Sequence, residues 1–112
     1  MTYTPSIQYA DGNGNIYHIH ADHFIYDPVI PTHSSSGRYS GGTAITKYIQ
    51  LDQYNQILTI VQEAISDTTQ HASSRMKGTG WIRIENSQEC ILSYNSEIKE
   101  GLETILQKLR SN

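Results

Sequence analysis

The chain has 112 residues, enough for one continuous core without disulfide or metal support and too few for two, so a single domain over 1–112 is expected. A net charge of −3, with 37% hydrophobic and only 17% charged residues, leaves no basic field for a phosphate backbone, and nucleic acid is excluded as an expected partner. No apolar run approaches the roughly 20 residues of a membrane span, and Met1-Thr2-Tyr3-Thr4-Pro5 lacks a leader pattern; together with the lone Cys90, this makes a soluble, cytoplasmic chain with no membrane association the expectation.

In chain order, Ile7-Gln8-Tyr9-Ala10 and the segment from Asn15 to Ala21 alternate around Asp11-Gly12-Asn13-Gly14, whose residues tolerate positive φ; this spacing predicts a β-hairpin. From Asp22 to Pro31, Pro28 and Pro31 argue against a central strand, and the Ser- and Gly-rich stretch from His33 to Gly42 follows, so the whole passage reads as a long loop. Thr43 to Leu51 places Ile45, Ile49 and Leu51 on one side at a period of two, predicting a third strand. Asp52 is the expected N-cap of a helix carrying Ile57, Leu58, Val61, Ala64 and Ile65 at helical spacing. Beyond Gly78 and Gly80, Trp81 to Glu85 alternates, Asn86-Ser87-Gln88 turns the chain, and Cys90, Leu92 and Tyr94 share one face of the return strand. Ser96 then caps a second helix whose stripe is Ile98, Leu102, Ile105, Leu106 and Leu109, with Glu97 and Glu100 at its positive end and Lys108 and Arg110 at its negative end. The order ββ-loop-β-α-ββ-α implies an α+β fold, an antiparallel sheet of about five strands with two helices packed on one face. The other sheet face is then left open.

Few residues suggest chemistry. His18 and His20 lie at i and i+2 of a strand and could aim two imidazoles at one metal, with His23, Asp22 or His33 as a third ligand. Since Tyr17, Ile19 and Ala21 occupy the core side, His18 and His20 are sufficiently explained as outer-face polar residues, and neither metal nor cofactor is expected. The loop offers Ser34, Ser35, Ser36, Arg38, Tyr39 and Ser40, hydroxyls and one guanidinium that could converge on an anion, although neither a P-loop nor a nucleophile elbow is present. Cys90 reads as a core residue, because its strand carries Leu92 on the same face and the adjacent Glu89 disfavours a thiolate. Asp27 reads as a turn residue before Pro28, and an active site built on Asp22 and Asp27 has no pocket to argue from.

The aromatic residues admit two readings: tyrosine simply suits half-buried sheet faces, which is the readier explanation, or it forms part of a recognition surface. Tyr17, Tyr26, Tyr39 and Tyr48 bracket the loop and the third strand, and Trp81 points away from Ile82 and Ile84, onto the open face if those two face the helices. The leading expectation is a non-catalytic accessory or protein-interaction module that self-associates, most simply as a dimer, or binds a protein partner through the open face around Tyr48 and Trp81. The alternative is a ligand-, anion- or metal-binding protein, with or without enzymatic activity, whose site lies between the His18/His20 strand and the Ser34 to Gly42 loop.

Overall fold

The computed structural model describes residues 4–29, 42–74, 78–85 and 88–111. Six strands, β1 (Ile7–Ala10), β2 (Ile16–Ile19), β3 (His23–Asp27), β4 (Ile45–Tyr48), β5 (Gly80–Ile84) and β6 (Glu89–Leu92), join two helices, α1 (Leu51–Ser66) and α2 (Glu97–Ser111). The strands form one antiparallel sheet in the order β4-β3-β2-β1-β5-β6. The first four strands make a meander, and α1 carries the chain back across it so that β5 pairs with β1. Both helices cover one face, giving the expected α+β architecture with one strand more than the sequence suggested.

The additional strand is β3, within the stretch read as loop. Pro28 forbids pairing only from its own position onward, and the five residues before it alternate cleanly, Phe24 and Tyr26 inward and His23, Ile25 and Asp27 outward. Asp27 is therefore the last strand residue, opposite Ile16, and not a turn residue. The β1–β2 turn is closed as expected, with Gly14 at φ 92° and the Asp11 carboxylate accepting from the backbone amides of Asn13 and Asn15 at 2.9 and 3.0 Å.

Other boundaries shift by a residue or two. The strand expected over Thr43 to Leu51 is only Ile45–Tyr48; Ile49 is buried beyond its end, and Leu51 is the first helical residue, 52% exposed. The N-cap of α1 is Gln50, not Asp52: Gln50 and Gln53 form a reciprocal capping box, with the Gln50 amide donating to Gln53 Oε1 at 2.7 Å, while Asp52 stands in the first turn. Tyr94 lies beyond β6 and is exposed, so it does not share the face of Cys90 and Leu92. Ser96 caps α2 as expected, its Oγ accepting from the Lys99 amide at 3.1 Å.

The core lies between the helices and the inward residues of the sheet: Ile7, Tyr9, Tyr17, Ile19, Phe24, Tyr26, Ile82, Ile84, Cys90 and Leu92 meet Tyr54, Ile57, Val61, Leu102 and Leu106. Leu58 and Ile105, read as core, are only partly buried, and Tyr54, absent from the expected stripe, is fully buried with its hydroxyl donating to the Pro5 carbonyl at 2.5 Å. Helix α2 runs back across the sheet: the Tyr9 hydroxyl donates to Glu103, and the Arg110 guanidinium lies 4.3 Å above the ring of Tyr26 on β3. Among the described residues no helix is long and apolar enough to cross a membrane.

Candidate functional site, the open face of the sheet

Antiparallel register arranges the helix-free face as three rows of side chains running across the strands. The first is Ile16, Ala10, Trp81 and Ile91, one from each of β2, β1, β5 and β6, with Asp27 of β3 beside Ile16. The second is Thr46, Ile25, His18, Gln8, Arg83 and Glu89, from β4 through to β6. The third continues the same register at the far end of the strands: Tyr48 opposite His23, His23 paired with His20 through a 2.8 Å backbone bond, and Ser6 receiving the Glu85 amide at 2.9 Å.

Both residues expected to anchor recognition stand on this face. Tyr48 is 89% exposed, and Trp81 is half-buried between Ala10 and Ile91, its indole Nε1 donating to Glu89 at 3.3 Å. Tyr17 and Tyr26 do not join them. They point into the core, with ring centroids 4.8 Å apart, because strand alternation puts them on the parity of Ile19 and Phe24. Burial pushes the Tyr17 hydroxyl up to about 12.

His18, His20 and His23 gather near one another without forming a ligand set. The His18 Nδ1 meets the Gln8 side-chain amide at 3.2 Å, the rings of His20 and His23 stack with centroids 4.6 Å apart, and His23 Nδ1 pairs with the Asp22 carboxylate at 2.7 Å. Stacking keeps the ring-plane lone pairs of His20 and His23 from converging, and among the described residues no group of three His, Cys, Asp or Glu could hold a metal ion. Burial, with His23 and His18 nearby, holds His20 below the ordinary imidazole value, and the hydrogen bond from His23 holds Asp22 below the ordinary carboxylate value. Cys90 is buried in the core, where desolvation pushes its thiol up to about 11, out of the range of a nucleophile.

Two shallow depressions mark the face. One, of about 300 Å³, is lined by Ser6, Gln8, Arg83 and Glu85, with the Ser6 hydroxyl donating to Glu85 at 2.9 Å. The other, of about 350 Å³, is lined by His18, His20, Ile25, Asp27 and Ala44 among others. Sequence reading missed the first, although the outward parity of Arg83 and Glu85 against Ile82 and Ile84 was its signal. It missed the His20–His23 stack because β3 had been read as loop. Ser34, Ser35, Ser36, Arg38, Tyr39 and Ser40 lie outside the described residues.

Compared with known proteins, the chain matches no family model, no curated protein and no solved structure. Its functional reading therefore rests on the geometry of this face.

Proposed function

We propose that the protein is a non-catalytic interaction module whose open sheet face receives another protein chain, either a second copy or a different protein. The observation that carries this reading is the row Ile16, Ala10, Trp81 and Ile91, apolar side chains set side by side on the face the helices leave uncovered. Ala10 is buried in the row, and Ile16, Trp81 and Ile91 around it are half-buried, so the row is a flat apolar stripe in which Trp81 is the aromatic anchor offered to a partner. Ile25 and Tyr48 extend the contact area towards β4. Trp81 is the only tryptophan, so its emission reports on the face directly. Sedimentation across micromolar concentrations, combined with affinity capture and Trp81 emission, tests the reading: association that blue-shifts Trp81 and is lost in Trp81→Ala is expected. A monomer that captures nothing in a Trp81-dependent way would remove it.

A second reading is favoured by the depression around His18 and His20. Asp27 and Ala44, which come just before and after the segment 30–41, line it together with those imidazoles, so the strand and the loop ends of the alternative small-ligand site meet at one place. Shifts of the His18 and His20 ring resonances on adding phosphate or zinc would support this site; rings that stay unmoved would leave the interaction module alone.

A further inference from the structure

The charges on the open face identify the kind of chain it fits. Among its described residues, four carboxylates, those of Asp22, Asp27, Glu85 and Glu89, stand against the single guanidinium of Arg83, a formal excess of three negative charges while the imidazoles are neutral. They are spread over the whole face: Asp27 is paired with Ile16 at one end of the apolar row, Glu89 accepts from the Trp81 indole at the other, Glu85 borders the depression of Ser6, Gln8 and Arg83 two rows away, and Asp22 pairs with His23 at that same far end of the strands. Lys47, on β4, has the parity of Ile45 and points to the helix side. A second copy laid face to face would bring four more carboxylates against these four. Like charges brought together at an interface oppose association, and complementary ones favour it.

Resting on the reading of this face as a protein-binding surface, we propose that its occupant is a cationic segment of a different protein. The aliphatic stems of some of its lysines or arginines would lie over Ile16 and Trp81 with their charged ends at Asp27 and Glu89, while another basic side chain of the segment, crossing Gln8 along the strands, would meet Glu85. Long basic side chains suit this arrangement because they cover apolar surface along their stems while keeping the charged end at a polar rim. The indole of Trp81 adds a surface that attracts a cation.

The test uses an octalysine peptide as probe, with octaglutamate as its opposite, at low ionic strength and neutral pH, read by the NMR shifts of the Trp81 indole and the Gln8 side-chain amide. Octalysine is expected to move both resonances, more weakly as salt is added, and octaglutamate to move neither. Asp27→Asn and Glu85→Gln should each weaken octalysine binding by about threefold, within the range of single exposed charge pairs, while Glu63→Gln on the exposed side of α1 leaves it unchanged. Equal weakening by Glu63→Gln would show attraction to the overall charge and overturn the proposal, as would resonances that do not move. If octalysine fails while sedimentation finds Trp81-dependent self-association, the cationic partner falls and the interaction face stands; if both fail, both fall.

Discussion

Gly80 is a glycine because Tyr9 occupies the space its side chain would need. A Cβ built there would stand 2.8 Å from the Tyr9 hydroxyl and 3.1 Å from Cε1. The Tyr9 ring cannot retreat, since it is fully buried and its hydroxyl is tied to Glu103. Gly80→Ala should therefore cost about 1–3 kcal/mol of stability, the range of overpacking in a full core, as read by urea unfolding. In a Tyr9→Phe background the same substitution should cost less, and equal costs in both backgrounds would show that the hydroxyl is not the obstacle. His20 supplies a pH dependence of definite sign. Because its folded value lies below the ordinary 6.5, the folded state binds fewer protons than the unfolded chain just beneath that pH. Its contribution is complete above about pH 7, where both states are neutral, and is lost as pH falls through 6.5 and on to the folded value. His20→Gln should flatten that part of the stability profile; an unchanged slope between pH 7.5 and 5.5 would assign it to other groups. Asp22 acts in a separate and lower window, present above the unfolded carboxylate value and lost as pH falls through its depressed one.

The helices and hairpins were legible because each has one buried stripe and one polar one. Leu102 shows this for α2: it is fully buried, as the spacing of Ile98, Leu102, Ile105 and Leu109 requires, and Leu102→Ala should cost about 2–5 kcal/mol. A loss inside the surface range of about 0.5 kcal/mol would mean that the helix does not bear on the sheet there. β3 was illegible because two prolines outweighed a five-residue alternation, although Pro28 lies one residue past the strand. Gln50 was overlooked as N-cap because a glutamine is a weak cap by itself, and only its exchange of bonds with Gln53 makes it one. For the candidate face, the outward direction of Trp81 followed from alternation with Ile82 and Ile84. The rows did not, because they depend on which strands are neighbours, and the pairing of β1 with β5 joins residues over seventy positions apart. Tyr26 could not be placed for the same reason: without β3 in register, nothing fixed the side to which it points, whereas Tyr17 lies on the core side as its strand's alternation required.

At the scale of the molecule, the two sheet edges are treated differently. β6 is sealed by the segment after α1: the Ala72 amide donates to the Ile91 carbonyl and the Ser93 amide to the Gln70 carbonyl, both at 2.8 Å, while the ring of His71 meets the Ala64 carbonyl at 2.7 Å. β4 ends the sheet among the described residues. The Ile49 amide bonds inward to the Asp22 carbonyl, so by antiparallel alternation Ile45 and Lys47 also direct their backbone groups to β3, and Thr46 and Tyr48 direct theirs outward. An unpaired edge invites further strands, and a charged residue on an edge strand, as Lys47 is on β4, discourages such pairing. Local stability should follow this asymmetry, because an amide bonded on a sealed edge exchanges only when that seal opens, whereas an outward amide exchanges without any opening. Hydrogen exchange should find the amides of Ile7, Tyr9 and Ile82 in the central strands slowest, those of Ala72 and Ser93 intermediate, and those of Thr46 and Tyr48 fastest. Adding a partner that occupies the open face should slow exchange around Trp81 and Gln8 and leave the Thr46 and Tyr48 amides fast. Protection appearing first at Thr46 and Tyr48 would instead show a partner adding its own strand to β4, and would move the interaction surface from the face of the sheet to its edge.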